Sequence, residues 1–167
     1  MTEEVVTNLR VLAPSRKAPR PGDLFAMQLP DERFLFGRVV STEARWTVAG
    51  GSDPAILIYV YRQPSKVGEV PAGSAMRVGE LLVPPIMINR LPWSRGYFQT
   101  LSRVPLESED VLPQHCFHSA SRGRYYDEHG NELWGPTQPV GDHGLHSFRT
   151  VDDLISDALG IPRASED

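Results

Sequence analysis

GDLFAMQLPDERFLFGRVV, residues 22–40, sets two apolar runs, Asp23 to Leu29 and Phe34 to Val40, on either side of the polar loop Pro30-Asp31-Glu32-Arg33. Two such runs joined by so short a polar loop spell a β-hairpin. Side chains alternate across a strand, so Phe25, Met27 and Leu29 share one face of the first run, and Phe34, Phe36 and Val40 one face of the second. No polar residue in the hairpin is placed for chemistry. It supplies a core, not an activity.

Downstream, Ala49-Gly50-Gly51-Ser52 forms a turn before Ala55 to Arg62, AILIYVYR. Ile56, Ile58 and Val60 fall on one side of this run, and Leu57, Tyr59 and Tyr61 on the other. A short run of β-branched and aromatic residues that is apolar on both sides reads as a central strand covered on both faces. Gln63 to Gly79 is punctuated by Pro64, Gly68, Pro71 and Gly73 and reads as a surface excursion. Glu80 to Ile88 regains apolar character around Pro84-Pro85, which fits only an edge strand or a break, because proline donates nothing to a ladder. Asn89 to Arg95 reads as a loop with Trp93 at its tip, and Gly96 to Val104 as another strand. Pro105 to Pro113 is an acidic exposed connection. From Gln114 a meander follows: QHCFHS, a turn at Ser121-Arg122-Gly123, RYYD, a turn at His129-Gly130-Asn131, then Glu132-Leu133-Trp134. Gly135 to Gly144 is again turn-rich.

One helix is expected, near the C-terminal end. Thr150 suits an N-cap, Asp152 and Asp153 put negative charge in the first turn, and Val151, Leu154, Ile155, Ala158 and Leu159 recur at helical spacing. Gly160 and Pro162 stop it. The expected fold is therefore mainly antiparallel β (α+β), one twisted sheet or partly open barrel with a short C-terminal helix packed on it. Residues 1–20, with Pro14, Pro19 and four basic residues, read as a mobile N-terminal leader with little to bury. A single β-rich domain then spans 21–163, and 164–167 form a tail.

The chain has 167 residues, enough for one core without disulfides or metals. A lone cysteine, Cys116, excludes an intramolecular disulfide, and no apolar run approaches the length of a membrane span. With two early acids and no apolar segment of signal-peptide length, the expected setting is reducing and cytoplasmic. Net charge is -4, unevenly spread: residues 1–126 hold 15 Lys and Arg against 12 Asp and Glu, and residues 127–167 hold 2 against 9. Overall acidity argues against a general nucleic-acid binder, and C-terminal acidity suits a basic partner.

His115 and His118, with His143 and His146, form two equally spaced pairs of a type zinc accepts. If QHCFHS is a strand, however, residues three apart face opposite sides, so His115 and His118 cannot both reach one ion unless the backbone turns there. Cys116 or Ser119 beside His118, with Asp127 or Asp142, offers nucleophile and base without any positioning motif. The expectation is no catalytic residue, no metal and no cofactor. The alternatives left open are a small metal-dependent hydrolase using the His115/His118/His143/His146 region and a nucleic-acid-binding β-barrel.

Gly22-Asp23-x-Phe25-Ala26, Leu29-Pro30-Asp31, Phe36-Gly37-Arg38-Val39, Pro84-Pro85-Ile86, and Trp93 followed by Gly96-Tyr97-Phe98 carry, in this order and spacing, a resemblance to the immunity protein 26 family of bacterial polymorphic-toxin systems. Cys116-Phe117, Tyr126-Asp127 and the final helix extend it loosely. Relatives tend to carry glycine after the turn aspartate, where this chain has Glu32; a turn that needs positive φ there is therefore disfavoured. The resemblance implies a small cytoplasmic protein that binds and neutralises a cognate toxin, often a nuclease, with no catalysis, nucleic acid or membrane involved. Charge and loop position nominate Glu107, Glu109, Asp110, Asp127, Glu128 and Asp142 as partner contacts, with Trp93 as an aromatic anchor.

Overall fold

A computed structural model describes residues 6–165. β1 (Asp23–Gln28) and β2 (Phe34–Val48) form the expected hairpin, in register from Gln28 opposite Phe34 back to Leu24 opposite Arg38. Leu29 N donates to Arg33 O (2.8 Å) and Glu32 N to Leu29 O (3.0 Å), so the loop has three residues rather than four. Its last residue, Glu32, has φ 72°. The turn does demand a left-handed residue, contrary to the sequence expectation, because a type I turn closed by a left-handed residue matches the twist of the strands it joins. Glutamate there carries the strain that glycine would escape.

β3 (Gly51–Val60) pairs along β2, and β4 (Ile86–Ile88) and β5 (Gln99–Arg103) complete a five-stranded antiparallel sheet in the order β4-β3-β2-β1-β5. β4 is an edge strand, as Pro84-Pro85 requires. Phe25 sits opposite Gly37 and Met27 opposite Leu35. It is therefore Leu35 and Val39 that share the Phe25 face, while Phe36 and Val40 lie on the other. Both faces are buried. Ile56, Ile58 and Val60 join Phe25, Met27 and Leu35 in one core, and Leu57, Tyr59 and Tyr61 join Leu24 and Val40 in a second, as the doubly apolar β3 predicts. Gly37 is fixed by this packing: a Cβ there would lie 2.3 Å from the Phe25 ring and 2.7 Å from Tyr59 O.

Helices cover the first core. α1 (Leu91–Ser94), a single turn where a loop was expected, delivers Trp93, and α2 (Phe148–Leu159) delivers Val151 and Ile155. α2 begins one turn earlier than the sequence suggests: Ser147 is the N-cap, its Oγ accepting from Thr150 N (3.2 Å). Gly160, at φ 71°, ends it, and Ile161 N closes on Ser156 O (3.0 Å). A smaller sheet covers the second core. β6 (Cys116–Ser119), β7 (Arg124–Tyr126) and β8 (Glu132–Leu133) form the expected meander, and β9 (Val140–Asp142), from the stretch read as turns, pairs parallel to β6. Phe117 on β6 is the second sheet's contribution to that core. The domain is mainly antiparallel β with a short C-terminal helix packed on it, its strands divided between two open sheets.

Polar contacts lock the layers. The distal arm of β2 reaches the second sheet, with Arg45 N donating to Glu128 O (2.8 Å) and Thr47 Oγ1 to Gly130 O (3.2 Å). Beneath it, buried Tyr59 Oη lies 2.6 Å from His115 Nε2 and accepts from Leu112 N (3.0 Å), while His115 Nδ1 lies 3.4 Å from Glu128 Oε2. The phenol thus bridges Leu112 N and one ring nitrogen of His115, while the other ring nitrogen faces the Glu128 carboxylate. Leu9 is buried in the first core, and Asp152 accepts from Asn8 N (2.9 Å) and Leu9 N (2.7 Å). From Asn8 to Ser15 the expected leader is thus packed into the domain, because Leu9 has apolar surface to bury and α2 supplies the acceptors. The readings of residues 1–5 and 166–167 lie outside the described residues.

Three measurements follow from these contacts. Glu32→Gly raises the urea midpoint by a stability of about 0.5–1 kcal/mol, the relief of left-handed strain less the added chain entropy of glycine. Gly37→Ala lowers stability by about 3 kcal/mol, since the main-chain oxygen of Tyr59 cannot move aside cheaply. The imidazole of His115 holds the Glu128 carboxyl below its ordinary value of 4.5. A lowered acid stabilises the fold above that value and loses its contribution as pH falls through the folded value. Glu128→Gln is therefore less stable than the parent at pH 7, and the two urea midpoints converge below pH 4.5.

Candidate partner-binding surface

After β5 the chain crosses the first sheet, and Arg38 fixes where it crosses. This arginine is 3% exposed, donates from Nη2 to Val104 O (2.7 Å) and Pro105 O (3.2 Å), and has Nη1 3.4 Å from Asp110 Oδ2. A buried charge persists only when paired, so Asp110 is committed to Arg38. The next turn, Ser108–Asp110, is a single 3-10 turn capped reciprocally by Glu107 and Asp110, with Glu107 N donating to Asp110 Oδ2 (2.9 Å). Glu107 and Glu109 are exposed on its outside.

Asp127 and Glu128 open the β7–β8 turn. Asp127 Oδ1 accepts from His129 N and Asn131 N (both 2.9 Å), which shapes the turn, and Glu128 faces inward to His115. Asp142, the last residue of β9, is exposed. Of the six nominated acids, then, Glu107, Glu109 and Asp142 are exposed, Glu107 while also capping its turn, whereas Asp110, Asp127 and Glu128 shape the surface through the contacts they hold. The structure gathers Glu107 to Asp110 in one turn and Asp127 with Glu128 in another. Among the described residues, no hydrogen bond or ion pair joins either group to Asp142.

Trp93 is not a surface anchor. It is 2% exposed, its ring edge-on to Phe25 (5.4 Å between centroids) and to Phe98 (5.1 Å). Flanking Pro92, Ser94 and Arg95 suggested a loop tip, but Pro92 starts a helical turn instead, and the turn aims the indole inward. The open aromatic is Trp134, which is fully exposed next to the outer strand of the second sheet. A signal for it existed in the sequence: Gly135-Pro136 follows Trp134 at once and ends any strand there.

The four histidines are not brought to one point. His115 is buried against Tyr59, and His118 lies tilted against Tyr125, 5.0 Å between centroids. His143 Nε2 accepts from Thr47 N (3.1 Å), and burial pushes its pKa down, so it serves as a neutral acceptor. His146 Nε2 lies 3.3 Å from Asp142 O. Among the described residues, no three His, Cys, Asp or Glu side chains are grouped to hold a metal ion. His115 and His118 take separate aromatic partners, Tyr59 and Tyr125. No described helix is long and apolar enough to cross a membrane.

No curated protein and no solved structure matches the chain. The family model described as Immunity protein 26 matches residues 20–127. That span takes in the whole first sheet, the Arg38-anchored acidic turn, β6, β7 and the start of the turn that Asp127 shapes; Trp134, Asp142 and α2 lie beyond it. An immunity protein's partner is a cognate toxin, and the matched span exceeds half of the sequence: the chain belongs to the Immunity protein 26 family.

Proposed function

We propose that the chain binds a cognate toxin that acts on nucleic acid and neutralises it by occlusion, without catalysis and in the cytoplasm. Family membership carries the reading. Charge supports the class of toxin, since a protein that works on phosphodiesters is basic where it meets them, and this chain is acidic overall, with its acid excess after residue 126. Trp134 is the aromatic contact, and Glu107, Glu109 and Asp142 are the acidic ones. A fully exposed indole is the kind of side chain that dominates an interface once its ring is desolvated. Asp110, Asp127 and Glu128 act on the partner only through the shape they give the two turns. The interface buries on the order of 1,600 Å² in total, as stable inhibitory complexes do.

The test is a titration with the product of an adjacent toxin-like gene. Inhibition saturates at one-to-one stoichiometry with no turnover of the toxin. Trp134→Ala weakens the complex by about 2 kcal/mol or more, roughly thirtyfold, with the melting temperature unchanged. Glu107→Lys with Glu109→Lys slows association and flattens its salt dependence. Trp93→Ala behaves oppositely, destabilising the fold by about 3–5 kcal/mol. A toxin whose affinity ignores all the surface variants, or one inhibited catalytically, sinks the proposal.

A further inference from the structure

The first sheet stops at β5, and β5 stops at a groove. In the order β4-β3-β2-β1-β5 its inner edge pairs with β1, and no described residue hydrogen-bonds to its outer edge. A groove of about 720 Å³ runs along that edge, with all five residues of β5 on one wall and residues between Ala13 and Arg20 on the other. The second wall is a strap. It is tied at one end by Leu12 N to Gly96 O (2.7 Å) and Ser15 N to Trp93 O (3.0 Å), and at the other by Arg20 N to Asp23 Oδ2 (2.8 Å). Between its ties the strap follows β5 without pairing to it. Pro14 and Pro19 bracket the span, and a proline has no N–H to offer a ladder. The strap therefore shelters the edge without filling it.

An open strand edge presents N–H donors and C=O acceptors in alternation, a pattern matched by another peptide backbone and not by a phosphodiester, which has acceptors alone. The walls specify the charge of the occupant. Lys17, Arg20 and Arg103 line the groove with exposed side chains, and none has an ion-pair partner among the described residues. The single carboxylate there, Asp23, is buried and already accepts from the strap. Five residues of β5 offer a ladder of about 17 Å.

We propose that this groove is a second binding site, which takes an extended acidic peptide segment of a protein partner as a sixth strand beside β5. The site goes beyond the toxin-binding reading: its charge is opposite to that of the surface assigned there, and it stands whether or not that surface binds a toxin. Binding joins backbone to backbone along β5, while acidic side chains reach Lys17, Arg20 and Arg103 on the walls.

The probe is a fluorescein-labelled, acetylated and amidated nonapeptide alternating glutamate and valine, followed by anisotropy with the full chain at low salt. The expected result is saturable binding that slows hydrogen exchange at amides within Gln99–Arg103. Combining Lys17→Glu, Arg20→Glu and Arg103→Glu weakens it about tenfold or more, by loss of charge complementarity. The same peptide N-methylated at alternate residues binds the unaltered protein about tenfold or more weaker in the register whose N–H groups face β5 and close to the parent peptide in the other, because strand addition uses every second N–H. Absence of saturable binding overturns the site, as does equal binding of the two N-methylated peptides. A nine-nucleotide oligothymidylate that binds and displaces the peptide without protecting the β5 amides overturns it as well, in favour of a plain anion groove.

Discussion

β3 is apolar on both faces, and that constraint organises everything around it. A sheet with one dry face needs one cover, but Ile56, Ile58 and Val60 on one side and Leu57, Tyr59 and Tyr61 on the other need two. Two kinds of element supply them. The helices bring Trp93, Val151 and Ile155 to the first face, while the small second sheet brings Phe117 to the other. The N-terminal strap, the Arg38-held crossing and the long arm of β2 are the fastenings by which these covers are kept in place.

Such an arrangement leaves a clear division among the polar residues. Arg38, His115 and Asp152 are interior groups whose partners come from distant parts of the sequence: Asp110, Glu128, and the main chain of Asn8 and Leu9. What is left for recognition is what these pairs do not consume. Burial raises the Asp152 carboxyl above its ordinary range even though it accepts two main-chain hydrogen bonds, so holding Asn8 and Leu9 carries an electrostatic cost within the fold. The opposite shifts of Asp152 and Glu128 reflect their surroundings: one is withdrawn from water at 1% exposure, and the other faces an imidazole at the margin of the second sheet.

Much of this was legible in the residues, because period-two alternation is a direct record of burial. The hairpin, the central strand, the edge character of β4, the meander and the terminal helix all follow from local pattern. Three features did not. Glu32 occupies a left-handed position that its side chain argues against, and only pairing of the flanking strands requires it. β9 has three residues, and its parallel partner lies more than twenty residues earlier, so no local signal could reveal the pair. Trp93 reads as open when exposure is judged from polar neighbours; a helical turn reverses that inference, and the open indole belongs to Trp134 beside a very short strand. The acidic turns were visible, but which carboxylates stay free depended on the buried Arg38 and His115.

Asn8 Nδ2 donates to Pro162 O (2.7 Å), and Asp152 grips the adjacent main chain, so the earliest described residues are fastened by the last helix. On the ribosome this imposes an order. All five strands of the first sheet exist once Arg103 has been made, yet much of one face stays open to water until α2 is complete at Leu159. At ordinary elongation rates that gap lasts roughly 3–11 s. For this interval the nascent chain is a sheet with an incomplete cover and with Asn8 and Leu9 still unheld. Sheltering that face, by the ribosome surface or a chaperone, is then part of making the protein, and synthesis of the final helix is the event that ends its exposure.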